Sequence, residues 1–332
     1  MNKILLIGSI PPPIGGVTIH LDRFLNLYSK GEFELGVLDI KKRCLYKKGS
    51  KYKNIFQIFN FFLSSKIVHI HISNDYIKLF CAIVSKLFLK KVIYTHHNSI
   101  VKNKILFKFM YFISDKVILV NDKEMDKNLI IDNKTLIIPA FLPPYKFNDL
   151  PYYLDKELSR FQNIISTNCF SYNLINGKHV YGFDLVIEAF YKLSKERKIK
   201  NTLLVLVDPS NTTKAFINNL LDGLHFGTNK VLLINEKIDF VSLLKKSSLT
   251  IRATRTDGDS ISVRESLYFN IPVVASDVAV RPKGTIIFKN EDSNDLANKI
   301  MYALNNKHKI IYNHIDYGQE IINLYKNILK GD

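Results

Sequence analysis

Cysteine is scarce. Cys44, Cys81 and Cys169 are odd in number and scattered without metal-ligand spacing, which excludes a disulfide framework and suits a reducing compartment. Long apolar runs are missing too: no stretch reaches the roughly 18 uninterrupted apolar residues of a spanning helix. "MNKILLIGS" has one lysine and a short apolar run, but prolines follow at once without a small-residue cleavage pattern, so no secretory signal is read there. Acid is in deficit, with 30 Asp and Glu against 47 Lys and Arg. Together these absences predict a cytoplasmic protein, free to rest on the inner face of a membrane.

What is present is a soluble globular composition, 47% apolar and 23% charged, over 332 residues, enough for two domains. The +17 net charge is uneven: residues 1–150 carry +12 and the rest +5. The densest segment, "KKRCLYKKGSKYK" (41–53), has seven basic residues and no acid, and the aromatic "NIFQIFNFFLSSK" follows it. A basic run beside aromatics suits an anionic membrane surface; a solvated, lysine-rich surface is the plain alternative. No nucleic-acid-binding motif accompanies the charge.

Short apolar runs alternate with amphipathic ones. "KILLIGS", "FELGVLDI", "KIVHIHIS", "KVIYTHH", "KVILVN" and "TLIIPAF" read as strands, and helical periodicity fills several gaps between them. After a Pro- and Tyr-rich linker at 141–157 the rhythm restarts with "NIIST", "TLLVLVDP", "KVLLINE", "LTIRAT", "IPVVASD" and "TIIFK". The pattern predicts an α/β protein: two tandem Rossmann-like domains with doubly wound parallel sheets, whose ligands bind beyond the carboxyl ends of the strands.

Three constellations carry chemistry. In "PPPIGGV", Gly15 and Gly16 stand between a strand and a helix, where bare backbone lets a phosphate approach the amides; a third glycine at dinucleotide spacing is lacking, and a tight turn is the alternative. In "TRTDGDSISVRESL" (254–267) a loop with Asp257, Gly258, Ser260 and Ser262 opens a helix bearing Glu265. Its amides suit a diphosphate or sugar, and Glu265 offers two acceptors to a ribose; an Asp/Ser cap with a surface glutamate is the alternative. Asp257 and Asp259 also spell D-x-D, a metal–diphosphate pattern, though so short a match carries little and no metal is expected. Histidines mark two predicted strand ends, His69 and His71, then His96 and His97, of which one of the latter pair is the better candidate for substrate contact.

With these residues in hand, the chain resembles the retaining nucleotide-sugar glycosyltransferases of family 4, which have the GT-B architecture with an interdomain cleft. "PPPIGGVTIHLDRFL", with His20 one turn into the helix, "YGFDLVIEAFYKL" and above all "DGDSISVRESLYFNIPVVASDV" carry the likeness, from residue 4 to about 305. The resemblance implies an N-terminal acceptor or membrane-side domain (1–147), a donor domain (158–310) and a C-terminal helix (311–332) packing back toward the first. It implies a metal-independent hexosyl- or N-acetylhexosaminyl-transferase without a cofactor, using a UDP- or GDP-sugar and a polyprenyl-diphosphate-linked glycan acceptor, as in O-antigen or capsule assembly. By position, Gly15 and Gly16 would face donor phosphates and the reacting sugar. Asp257 would lie near the sugar hydroxyls in place of a glutamate, and His97 would contact the donor sugar. The backbone of Asp259, Ser260 and Ile261 would cradle sugar and diphosphate, and Glu265 would bind ribose. The family's diphosphate-binding arginine and lysine are absent, Tyr181 standing at the lysine position; Lys178 and Arg255 are the candidate replacements. That departure keeps a second reading open, a catalytically degenerate subunit supporting a partner transferase. A glycoside hydrolase is disfavoured, since its carboxylates must flank a bond at about 5–10 Å.

Overall fold

The structure, a computed structural model, describes every residue except 13–14, 30, 98–100, 102, 121–133, 307–314 and 332. Pro13 and Ile14 of the N-terminal loop thus lie outside the described residues. The chain divides into two units, Met1–Tyr145 with Ile315–Asp332, and Lys146–His314.

In the first unit β1 (Asn2–Ile7), β2 (Phe33–Asp39), β5 (Ser65–Ile70), β6 (Lys91–His96), β7 (Lys116–Leu119) and β8 (Thr135–Ile137) are parallel. Both faces of the central strands are buried, as helix-covered parallel strands require. The basic segment, not among the runs read as strands, forms two antiparallel ones, β3 (Cys44–Lys47) and β4 (Ser50–Tyr52), completing the order β4-β3-β2-β1-β5-β6-β7-β8. Alternation was hidden there by lysines, whose stems lie along the aromatic rings: Lys47 Nζ sits 5.2 Å from the Tyr52 ring.

Helix α1 (Gly16–Tyr28) follows β1, while α2 (Ile55–Ser64), α3 (Asp75–Leu87) and α4 (Lys104–Ile113) share one core. Each of these three starts at an asparagine, Asn54, Asn74 or Asn103, whose side chain accepts first-turn amides. The chain reverses its winding between the adjacent β1 and β5, so this is the unit's topological switch point.

The second unit opens inside the expected linker: α5 (Tyr152–Leu158) buries Leu154 and Leu158 in this unit's core. Its sheet holds β9 (Asn163–Asn168), β12 (Thr202–Val207), β13 (Lys230–Ile234), β14 (Leu249–Arg252), β15 (Val273–Ser276) and β16 (Ile286–Phe288). All are parallel, in the order β13-β12-β9-β14-β15-β16, the doubly wound order with its switch point between β9 and β14. A small hairpin, β10 (Leu174–Ile175) with β11 (Lys178–His179), interrupts the loop after β9. Crossovers run through α6 (Phe183–Lys195), α7 (Lys214–Leu221), α8 (Phe240–Lys246) and α9 (Ile261–Tyr268); α10 (Ser293–Asn305) packs beside α6. Last, α11 (Tyr317–Lys330) belongs to the first unit, where the buried Tyr325 hydroxyl meets His69 Nδ1 at 2.6 Å.

Candidate functional site

At the second unit's switch point, the loops after β9 and β14 touch through glycine. Gly182, at the N-terminus of α6, has φ +65°, and a Cβ there would stand 2.0 Å from the Ala253 carbonyl oxygen. Only glycine permits that approach. The β14 loop then turns at Asp257, whose side chain is almost buried.

Asp257 was expected beside sugar hydroxyls. The structure gives its carboxylate other work. Oδ1 accepts from Arg252 Nη2 (3.1 Å) and the Gly258 amide (3.2 Å). Oδ2 accepts from Arg252 Nε (3.0 Å), Thr254 Oγ1 (3.1 Å) and Arg281 Nη1 (2.8 Å). With about two lone pairs per oxygen, these contacts fill it, so it holds two guanidiniums in place. Burial works to raise its pKa, but the two arginines outweigh burial and hold it below the ordinary carboxylate value. Two arginines against one carboxylate leave this group at net +1. Arg252 also lies over the Tyr181 ring, its guanidinium carbon 5.2 Å from the centroid.

Arg255, expected to compensate for missing cations, is already saturated. Nε donates to Glu291 (2.6 Å), Nη1 to Asp184 (2.8 Å) and the His179 carbonyl (2.5 Å), and Nη2 to Asp184 (2.8 Å) and Glu291 (3.1 Å). All five N–H donors are used. Lys178 pairs with Glu291 at 3.0 Å, so the four charges cancel. Asp259 is likewise held, by Arg264 Nε at 2.6 and 2.8 Å. Both carboxylates of the D-x-D thus face arginine, and no group of three or more metal-capable side chains occurs among the described residues.

Helix α9 starts two residues later. Ser260 is its N-cap but makes no side-chain cap bond; its hydroxyl instead meets Ser262 Oγ at 3.1 Å. The amides of Ser262 and Val263, which an N-cap side chain ordinarily serves, therefore lack that acceptor, and the first turn remains suited to an anion. Glu265, on the same helix, is buried. Arg252 and Arg281 escaped the sequence reading. Arg252 stood inside a predicted strand, and Arg281 is 24 residues from Asp257; no local spacing joins them.

The first unit's switch point is built from histidine. Gly8 follows β1, and a Cβ on it would meet Leu21 Cδ1 at 2.4 Å and His71 Cβ at 3.3 Å, so α1 and the residue after β5 close over it. His71 Nδ1 pairs with His97 Nε2 at 2.9 Å, and their rings gather with His20 and His69. His20 Nδ1 donates to the Ala140 carbonyl (2.8 Å), and His69 Nε2 meets Thr95 Oγ1 (2.7 Å). Burial lowers the pKa of all four, His20 to about 4, with neighbouring charges adding to the effect. His96 turns instead to the Tyr94 hydroxyl. His71 Nε2 is buried with no hydrogen-bond partner among the described residues.

In the loop before α1, the Gly15 amide donates to Thr18 Oγ1 at 3.0 Å. Gly15 has extended backbone (φ −166°), and its absent Cβ would meet only Thr18 Oγ1, at 3.9 Å. The fold therefore does not demand glycine there. Gly16 begins the helix, exposed.

Residues 155–319 match the family described as glycosyl transferases group 1. No curated protein matches the sequence significantly. Among solved structures, Anabaena Alr3699/HepE in complex with UDP is similar at TM-score 0.63 and 13% identity, covering 98% of this chain and 100% of that one. Sucrose-phosphate synthase from Thermosynechococcus elongatus is similar at TM-score 0.68 and 13% identity, with 100% of each chain covered. A structure described as a putative UDP-N-acetylglucosamine 2-epimerase from Listeria monocytogenes is similar at 0.65 and 15%, covering 99% of this chain and 97% of that one. At such identities the likeness establishes the fold alone, and the family match adds the transferase assignment to the second unit. The chain is a GT-B protein whose second unit carries the glycosyl transferases group 1 domain.

Proposed function

We propose that the protein is a retaining, metal-independent glycosyltransferase of the family 4 type, moving a hexosyl or N-acetylhexosaminyl group from a UDP- or GDP-sugar to a lipid-linked glycan acceptor. The observation that carries this reading is the net-positive group that Arg252 of β14 and Arg281 from beyond β15 form around Asp257, on the loop leading into the uncapped first turn of α9. A leaving diphosphate gains charge as the glycosidic bond breaks, and fixed dipoles and cations there lower the barrier. Arg252, over Tyr181, supplies positive charge beside the position where the resembling family has lysine. That the HepE structure holds UDP supports a uridine donor.

In this reading Glu265 accepts the ribose hydroxyls, and the amides of Ile261 and Ser262 bind diphosphate. The C1–phosphate bond breaks, the acceptor oxygen bonds C1 on the same face, and its proton passes to the departing phosphate oxygen. Asp257 positions the two arginines without touching the sugar. His97 and the Gly15–Gly16 backbone are assigned to sugar contact. The natural setting is surface-polysaccharide assembly at the inner membrane face.

Thermal-shift titration with UDP, GDP and their sugars tests the donor class. UDP or GDP should stabilise the protein, and Glu265→Ala should weaken that nucleotide about 10–100-fold, the range of a lost charged hydrogen bond. No stabilisation at millimolar nucleotide would sink the reading. The saturation of Arg255 favours one alternative, a degenerate subunit supporting a partner transferase. It predicts nucleotide binding without transfer to any lipid-linked acceptor.

A further inference from the structure

Helices α2, α3 and α4 cover one face of the first unit's sheet. Phe61, Ala82 and Met110 point inward from them into a single core with alternate residues of β1, β5, β6 and β7. Their outward stripes are apolar as well. On α2, Phe56, Phe59 and Leu63 recur at three- and four-residue spacing and are exposed, Phe56 to 79%. On α3 the same spacing exposes Tyr76, Phe80, Ile83 and Leu87, and on α4 Ile105, Phe109 and Phe112, the last to 79%. The stripes adjoin: the Phe88 ring, just past α3, meets Phe59 and Phe62 at 6.3 and 5.3 Å, and α3 packs along α4. An apolar surface of this extent on an outer helical layer marks an interaction face.

Charge selects the partner. From Lys41 to Phe112 the sequence has fifteen Lys and Arg and a single acid, Asp75, which pairs with Lys78 at 2.5 Å. Lys53, Lys66 and Lys108 are exposed in this region, while Lys86 and Lys91 pair with Asp115 just beyond it. A second copy would bring the same surplus against itself. An anionic bilayer offers both what the stripes and what the lysines need.

We propose that the outer face of α2, α3 and α4 docks on an anionic lipid bilayer, with the aromatic stripes in the headgroup–acyl boundary and the lysine heads at the phosphates. The helices lie in the membrane plane, their apolar side chains reaching about 5–10 Å inward. Lysine stems run along apolar surface, as Lys90 Nζ already does 5.7 Å from the Phe62 ring. The docking deepens the lipid-linked acceptor reading and rests on it for its purpose, but binding itself needs no donor.

The full chain is sedimented with vesicles of phosphatidylcholine alone and of phosphatidylcholine with phosphatidylglycerol, without nucleotide. It should bind the anionic vesicles, and salt should weaken binding. Phe80→Ser/Leu87→Ser/Phe112→Ser should lower vesicle affinity by more than about tenfold while leaving the thermal midpoint and the nucleotide shift in place. Lys53→Glu/Lys66→Glu/Lys108→Glu should lower it too. The sequence contains no tryptophan, so Phe80→Trp gives a lone reporter whose emission should shift to the blue with anionic vesicles, while Tyr302→Trp on α10 should not. Equal binding to neutral vesicles, no binding, or a dimer that the serine variant dissociates would overturn the proposal. Vesicle binding with no nucleotide response would instead sink the transferase reading alone.

Discussion

The two switch points share a topology and differ in electrostatics. In the first unit the side chains gathered there are four histidines whose pKa values burial pushes down, so the cluster is neutral. In the second unit they are ionised arginines and carboxylates paired at hydrogen-bond distance. A neutral polar cluster suits hydroxyl groups, whereas guanidiniums pre-positioned by a buried carboxylate suit a charged diphosphate. One layout of strands and helices thus carries two chemistries, chosen by the few residues beyond the strand ends.

The largest way to break the comparison is Gly182→Ala. Positive φ and the 2.0 Å approach to the Ala253 carbonyl should cost about 3 kcal/mol or more of the second unit's stability in urea unfolding. Gly15→Ala, by contrast, has open space.

Asp257→Asn comes next. It leaves Arg252 and the buried Arg281 short of their anion and should destabilise by roughly 3 kcal/mol. It should also lower transfer more than nucleotide affinity if Asp257 only positions cations. Since its folded pKa lies below the ordinary 3.8, its contribution is full above that value and fades as pH falls through it. The variant should flatten that acid limb, and an unchanged limb would refute the pairing.

Between the units, pH sharpens the contrast. A histidine buried neutral is protonated first in the unfolded chain, so stability falls from about the ordinary 6.5 downward until the folded state also binds the proton, near 4 for His20. The first unit holds four such groups at its switch point. In the second unit His179 is lowered to about 4, again mainly by burial. Hydrogen exchange, corrected for intrinsic rates, should show the first unit losing more protection between pH 7 and pH 5. Equal losses would contradict this account.

Gly15→Ala should have the smallest effect on folding, within about 0.5 kcal/mol by urea unfolding. A fall in transfer without a fall in stability would mean that the bare backbone serves a ligand.

Much of the fold was legible because strands such as "TLLVLV" and "VVAS" are buried on both faces and read as unbroken apolar runs. The β3–β4 hairpin was not, because lysines mask its alternation, and α5 was hidden by the Pro and Tyr around it. The loop from Thr254 to Ser260 and the buried Glu265 stood out for a local reason, a strand, a small-residue loop and a helix in succession. The partners of Asp257 did not, since Arg281 reaches it from beyond β15.

By itself the sequence determined the alternation of strands and helices, the positive surplus of the first 150 residues and the placing of glycine at loop-to-helix turns. Hydrophobic period, net charge and backbone freedom are properties of neighbouring residues. Only the tertiary structure decided which charges are spent. Arg255, a plausible diphosphate ligand in one dimension, is consumed by Asp184 and Glu291, while Arg252 and Arg281 converge on Asp257. The physical reason is that a guanidinium is neutralised by whatever carboxylate lies within hydrogen-bond reach. The fold sets that distance across 71 residues in one case and 24 in the other.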